Sequence, residues 1–108
     1  MSQRSPETSC PMDRLLRLIM GPWTTYLLWV LESQGVMRFG ALKKSIPGIS
    51  SRVLTERLRS LESAGIIFRE YRATIPPEVS YGLTEKGREL GLVLKGLNQL
   101  AQRWYQET

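Results

Sequence analysis

The chain has 108 residues, with fifteen Lys and Arg against ten Asp and Glu, so its net charge at neutral pH is +5. This length predicts one domain around one core. The chain has no His and one Cys, which excludes an internal disulfide and removes the commonest general base and the multi-Cys or Cys/His zinc sites. We therefore expect no enzyme activity, no metal and no cofactor.

The longest uncharged stretch, residues 18–31, is 14 residues long and is interrupted by Gly21-Pro22. A membrane-spanning helix needs roughly 17 to 25 residues, and the N-terminus lacks the apolar stretch of a secretory signal. We therefore expect a cytoplasmic protein without a membrane partner. Residues 1–9 are polar and are predicted to form a flexible arm ahead of a single domain over residues 10–108.

The apolar spacing predicts a short first helix over residues 13–20, which Gly21-Pro22 ends. A second helix is predicted to open at Pro22, since proline at the first helical position costs no hydrogen bond, and to end at Gly35. This second helix is apolar on most sides, so it is expected to be central. Residues 37–39 could form a short strand or an extended link.

A third short helix follows, broken by Pro47-Gly48, with three apolar residues on one side: Phe39, Leu42 and Ile46. Ser50 is the predicted N-cap of a fourth helix over residues 51–64, which Gly65 ends. Its inward stripe consists of Leu54, Leu58 and Leu61. Two helices joined by a tight Pro-Gly turn form a helix-turn-helix, here over about residues 39–65.

Two β-rich runs separated by Pro76-Pro77 predict a hairpin, or wing, over about residues 66–83. Thr84 is the predicted cap of a last helix that runs over about residues 84–106. Its glycines at 87, 91 and 96 are unfavourable in a helix interior, which suggests close neighbours. The fold class is therefore mainly α with a small β-hairpin (α+β), a winged helix-turn-helix with terminal helices.

The last helix carries an apolar seam at 4, 3, 4, 3 spacing, which consists of Leu90, Leu94, Leu97, Ala101 and Trp104. Such a seam suits a partner helix. The alternative is that it packs on its own domain. We favour a homodimer, because two terminal helices of a short domain cannot both bury a full apolar face within it, and we expect Leu15, Leu18 and Ile19 of the first helix to join the interface.

The positive charge is local. Residues 38–72 contain eight basic residues against three acidic ones, whereas the remainder has seven of each sign, so this segment holds the whole +5. A solvated basic face without a partner is the alternative. A local excess of charge on a helix-turn-helix favours a polyanionic partner, and we expect that partner to be double-stranded DNA.

The outward side of the fourth helix suits a major groove. Arg52 and Thr55 are the predicted base contacts, and Glu56 could accept from cytosine or orient a neighbouring arginine. The other predicted DNA-binding residues, most of them suited to phosphates or to the wing's contact, are Arg38, Lys43, Lys44, Ser50, Ser51, Arg57, Arg59 and Arg72. Aromatic residues do not interleave the basic ones, which argues against single-stranded nucleic acid.

Several sequence motifs point to a known family: Gly21-Pro22-Trp23, Arg38-Phe39-Gly40-Ala41-Leu42, Ile46-Pro47-Gly48-Ile49-Ser50, Pro76-Pro77 and Leu83-Thr84-Glu85-Lys86-Gly87. Together they closely resemble the HxlR-type transcriptional regulators, which are related to the MarR-like regulators. The resemblance covers about residues 10–105. It implies a bacterial winged helix-turn-helix protein that dimerises through its terminal helices and binds operator DNA as a repressor or an activator.

The resemblance also bears on Cys10, because some members that carry a Cys ahead of the first helix sense oxidants or electrophiles with it. Cys10 stands in that place, so a redox response, or an adduct with a small electrophile or thiol, is one expectation. An inert thiol is the alternative. A small-molecule effector near Trp23 and Trp29, or a winged helix used only for protein interaction, are the competing functions.

Overall fold

The structure is a computed structural model that describes residues 10–106, so the predicted arm at residues 1–9 lies outside the described residues. The elements in chain order are α1 (Pro11–Ile19), α2 (Thr24–Gln34), β1 (Met37–Arg38), α3 (Phe39–Ser45), α4 (Ser51–Ser63), β2 (Ile67–Arg72), β3 (Glu78–Leu83) and α5 (Glu85–Tyr105). The predicted fold class is confirmed: a mainly helical chain with a small antiparallel sheet.

The sheet has three strands in the order β1-β3-β2, and both pairings are antiparallel. The hairpin register runs from Ile67 opposite Leu83 to Arg72 opposite Glu78, and Met37 lies opposite Tyr81. Residues 37–38 therefore form a true strand, which settles the alternative between strand and link. The third strand ties the start of the helix-turn-helix to the wing, so the two cannot move independently.

The core lies between α2, the helix-turn-helix and the sheet. As expected for the central helix, α2 supplies Leu27, Leu28 and Leu31, which are almost completely buried. The inward stripe of α4 is confirmed, since Leu54, Leu58 and Leu61 are at most 2% exposed. Burying one such side chain contributes roughly 1.5 to 3 kcal/mol, so this stripe fixes how α4 is rotated on the core.

The predicted start of α2 at Pro22 is wrong, because the helix begins at Thr24. Trp23 adopts the left-handed conformation with φ 71°, which is unusual for a residue other than glycine. Two tertiary contacts accompany this turn. The Arg57 Nε donates to the carbonyl oxygen of Pro22 at 2.8 Å, and the Trp23 ring packs beside Gly48, so the turn is bound to the helix-turn-helix.

The end of α4 is hydrogen-bonded to the start of α5. The Thr84 Oγ1 caps α5 by accepting from the Gly87 N–H at 3.1 Å, and it lies within hydrogen-bond distance of the carbonyl oxygens of Gly65 and Ile66. The Lys86 Nζ donates to the carbonyl oxygen of Ala64 at 3.1 Å. The first turn of α5 therefore holds this helix against the end of α4.

The glycines of α5 divide into two kinds. A Cβ added to Gly87 would overlap the carbonyl oxygen of Ile66, and one added to Gly91 would overlap the Glu32 carboxylate of α2. The expected close neighbours are thus confirmed for these two. A Cβ on Gly96 would meet nothing within 4 Å, so the described residues provide no packing reason for that glycine.

Candidate nucleic-acid interface

The position of α4 is set by its cap and its buried stripe. The Ser50 Oγ accepts from the Val53 N–H at 3.1 Å, which confirms the predicted N-cap. With the leucine stripe inward, Ser51, Arg52 and Arg59 are exposed, and Thr55 is half-buried at the edge of the outward face. The helix therefore presents a polar side to solvent, on which the exposed arginines alternate with Glu56 and Glu62.

Arg52 and Glu56 are one turn apart on this outward side and form an ion pair, with 3.3 Å between the Arg52 Nε and the Glu56 Oε1. Of the roles weighed for Glu56, the structure shows the orienting one. Both side chains are largely exposed, and exposed pairs of this kind contribute only about 0.3 to 0.5 kcal/mol. The pair can therefore position Arg52 without preventing it from reaching a base edge.

Arg57 differs from the other basic residues of α4. It was predicted to contact phosphate, but it is half-buried, and its Nε is bound to the Pro22 carbonyl oxygen on the side of the α1–α2 turn. The reason is helical geometry, because a residue three positions after Leu54 and one before Leu58 lies beside the inward stripe. Arg57 thus acts in this structure as a brace of the fold.

The remaining predicted cations of the helix-turn-helix lie on α3. Lys43 and Lys44 are exposed in the last turn of that helix, where positive charge is favoured by the helix dipole. Both point their charge into solvent ahead of the turn that leads to α4.

The wing carries its charges on the strands and none at its tip. Arg72 pairs with Glu70 at 3.6 Å, and Arg38 of the edge strand pairs with Glu78. Residues 73–77, which form the tip, are uncharged and exposed, and Ile75 is completely exposed. The guanidinium charge of Arg72, the predicted wing contact, therefore lies directly beside the tip and not on it.

The terminal helices form a second, chemically different surface. Helix α1 has no buried residue, and its apolar side chains at i, i+3, i+4 and i+7 share one face, namely Met12, Leu15, Leu16 and Ile19. Leu18 and Ile19 pack partly against the core, whereas Leu15 is exposed. Of the three residues predicted for the interface, Leu15 is therefore the most accessible.

The predicted seam of α5 divides in the structure. Leu90 and Leu94 are only 7% and 6% exposed because they pack in the core of their own chain, so they do not face a partner. Leu97 and Trp104 remain exposed, and Ala101 is half-buried. The sequence interpretation missed Val93 and Leu100. With Leu97 and Trp104 they form an outward stripe at 4, 3, 4 spacing, which lies beside the core-facing side of the helix.

Cys10 is an exposed free thiol at the N-cap of α1. Its Sγ accepts from the Asp13 N–H at 3.4 Å, and the Asp13 carboxylate pairs with Arg17 one turn later at 3.1 Å. The sulfur is therefore part of the local structure that begins α1. Any modification of the thiol would act on the helix that carries the exposed apolar face.

Two hollows lie at Trp29, one of the two tryptophans suggested for a small-molecule site. One, of about 360 Å³, is lined by Tyr26, Trp29, Val30, Ser33, Gln34 and Ser45. The other, of about 240 Å³, lies between α2 and α5 and is lined by Trp29, Leu94, Leu97, Asn98 and Ala101. Ligand pockets usually measure about 300 to 1,000 Å³.

Within residues 10–106 we find no helix long and apolar enough to cross a membrane, and no group of side chains that could hold a metal ion.

A helix-turn-helix whose second helix exposes polar and charged side chains, flanked by an antiparallel wing, defines a winged helix-turn-helix protein of the DNA-binding class. The chain belongs to the HxlR-like helix-turn-helix family, which it matches over residues 18–108. It is a transcriptional regulator, and its family and relatives are regulators rather than enzymes. The recognised resemblance is thereby confirmed.

Individual relatives are similar over most of their length. The helix-turn-helix transcriptional regulator sll1512 of Synechocystis sp. is 39% identical over 98 residues, which cover 91% of this chain and 72% of that protein. The redox regulator HypR in its oxidised form is 33% identical with a TM-score of 0.81, covering 92% and 100% of the two chains. Diamide-treated YodB of Bacillus subtilis is 32% identical with a TM-score of 0.72, covering 94% and 99%.

Proposed function

We propose that this regulator binds a specific operator in duplex DNA as a homodimer, with α4 of each protomer in the major groove. The observation that carries the proposal is that the +5 segment, residues 38–72, contains α3, α4 and the first wing strand, and that all of its basic residues except the half-buried Arg57 are exposed. Phosphates account for much of DNA affinity and are met by such charges, and Arg52 and Thr55 on α4 would contact bases. The protein would act in the cytoplasm of a prokaryote, where the chromosome lies.

The outward stripe of α5 and the apolar face of α1 support the dimer. Together they expose large apolar side chains that one chain leaves uncovered, including Trp104 at 68% and Met12 at 62%. Large uncovered apolar patches mark protein interfaces. A twofold dimer would place two α4 helices in successive major grooves of an imperfect palindrome, about one turn or roughly 34 Å apart.

The test is binding of the full chain to its operator and to random duplex DNA at physiological salt, measured by fluorescence anisotropy. Genomic footprinting supplies the operator. If six to ten phosphates are neutralised, the logarithm of the binding constant falls against the logarithm of salt concentration with a slope of roughly −5 to −9. Equal affinity for operator and random DNA would contradict a specific regulator and favour the alternative of a protein-interaction module.

A thiol response through Cys10 is the second part of the proposal. It is supported by the exposed Sγ at the start of α1 and by the relatives, since HypR is named a redox regulator and YodB was treated with diamide, a thiol oxidant. Cys10 is the single Cys of the chain. A disulfide would therefore join two protomers, or Cys10 and a small thiol, as two thiols lose two protons and two electrons to the oxidant. An electrophile would instead alkylate the sulfur.

Cys10→Ser separates the thiol response from the fold. Serine is a strong N-cap residue and keeps the acceptor for the Asp13 N–H, so the variant is expected to bind operator DNA as the wild type does. Diamide or a quinone should change DNA binding of the wild type and leave the variant unaffected. A variant that still responds would remove Cys10 from the mechanism and favour a small-molecule effector.

A further inference from the structure

A cleft of about 360 Å³ separates α4 from the wing. Its lining comprises Thr55, Leu58, Arg59 and Glu62 of α4, Arg69 of β2 and Tyr81 of β3. Arg69 and Tyr81 are directly opposite each other in the hairpin register, and Leu58 is buried in the core. Two arginines from different elements, Arg59 of α4 and Arg69 of β2, therefore line the same cleft.

These two arginines differ from the other arginines of the DNA-facing surface. Arg38, Arg52 and Arg72 each form an ion pair with a glutamate. Among the residues that the structure describes, neither Arg59 nor Arg69 has such a pair. The Glu62 carboxylate also lines the cleft, so two positive charges there face one negative charge. The cleft is left with a net positive charge and an incomplete set of partners.

We propose that this cleft binds one phosphate group of the DNA backbone, held by both Arg59 and Arg69. Guanidinium groups form short, charge-assisted hydrogen bonds with phosphate oxygens, and the Thr55 and Tyr81 hydroxyls lining the cleft can donate to the same group. The inference rests on the proposed function: with α4 in the major groove, the bordering backbone would pass between this helix and the wing. Arg69, which the sequence offers beside Arg72 either as a wing contact or as a solvent-facing strand residue, becomes a phosphate ligand.

The number of phosphates distinguishes a shared ligand from two separate contacts. Each neutralised phosphate contributes about −0.9 to the salt slope. If Arg59 and Arg69 hold one phosphate in each protomer of the dimer, Arg59→Gln combined with Arg69→Gln should reduce the slope by about two units in total and weaken operator and random DNA by a similar factor. The matched control adds Lys43→Gln to this double variant, for which one further, separate phosphate in each protomer predicts a reduction of about four. A reduction of about four by the Arg59 and Arg69 pair alone would overturn the shared site.

A further substitution should change DNA affinity in the opposite direction. Glu62→Gln removes the negative charge that faces the phosphate and keeps the size of the side chain, so it should tighten DNA binding by a few fold, mostly at low salt. Weaker binding of this variant would contradict the proposed charge balance. All four substituted side chains, Arg59, Arg69, Lys43 and Glu62, are exposed, and unchanged thermal unfolding of each variant shows that the fold is retained.

The source of the phosphate is tested by neutralising operator phosphates one at a time as methylphosphonates. One position should weaken the wild type and have no effect on the Arg59 and Arg69 double variant. The DNA-free protein is titrated in parallel with inorganic phosphate at constant ionic strength, with the arginine side-chain NMR signals as readout. Shifts confined to Arg59 and Arg69 at micromolar phosphate, without a sensitive operator position, would assign the cleft to a free phosphate ligand and overturn the DNA assignment.

The two proposals fail separately. A wild type without preference for operator over random DNA would contradict the proposed function, whatever the variants do. A wild type that prefers its operator, together with an Arg59 and Arg69 double variant of unchanged affinity and salt slope, would contradict the cleft alone.

Discussion

The molecule leaves two surfaces uncovered, and they have opposite chemistry. The segment over residues 38–72 holds the excess positive charge of the chain, and all of its basic residues except Arg57 are exposed. The terminal helices expose Met12, Leu97 and Trp104, and the charge outside residues 38–72 balances to zero. A charged surface suits a polyanion, whereas an apolar one suits another apolar surface. The proposed partners, DNA for one region and a second protomer for the other, follow this difference.

The largest expected effect is on the free energy of unfolding, and it comes from disrupting the contact between the end of α4 and the start of α5. Gly87→Ala places a Cβ on the Ile66 carbonyl oxygen, which already accepts the Thr84 N–H at 3.0 Å. Because backbone must shift to make room, the free energy of unfolding should fall by about 1 to 3 kcal/mol or more. Chemical denaturation measures it.

Gly96→Ala is the matched control for this substitution, since its added Cβ has open space within the chain. Alanine is favoured over glycine in a helix by up to about 1 kcal/mol, so the stability of the variant should be unchanged or higher. Equal destabilisation by both substitutions would contradict the close approach at Gly87 as the cause, because helix propensity favours alanine over glycine at both positions.

The next effect concerns the apolar surface alone. Leu97→Asp places a charge in the middle of the exposed stripe of α5, where the leucine is 55% exposed, so the chain should fold but fail to dimerise. Operator affinity should then fall by more than tenfold, since one protomer provides one recognition helix. Analytical ultracentrifugation gives the oligomeric state, and a variant that remains dimeric would exclude this stripe from the interface.

The charged surface is expected to make two kinds of contact. Arg52→Ala should reduce discrimination between operator variants by about 1 to 3 kcal/mol, because Arg52 is placed for a base edge. Lys43→Ala should weaken all DNA sequences alike and reduce the salt slope by about two, one phosphate in each protomer. The two would exchange roles if base contacts came from α3, and competition binding with single-base operator variants decides it.

Local signals in the sequence were sufficient for the secondary structure and the fold class. Ser50 and Thr84 are N-caps as predicted, Gly35 and Gly65 end their helices, and the leucine stripe of α4 is buried. Each of these depends on residues within a few positions along the chain, where backbone preference and hydrogen bonding are decisive. The start of α2 escaped prediction because a distant residue, Arg57, binds the turn before it.

What the sequence by itself determined is therefore the class of protein, the order of its elements and the position of its charge. Tertiary structure decided which side of each element is used. Helical spacing alone cannot tell whether an apolar side faces its own core or a partner, and packing placed Leu94 in the core and left Leu97 outside. The cleft shared by Arg59 and Arg69 was likewise invisible to spacing, because their meeting depends on how the wing folds back beside α4. Contacts between residues distant along the chain are set by the packing of whole elements, and that is the physical reason for the division.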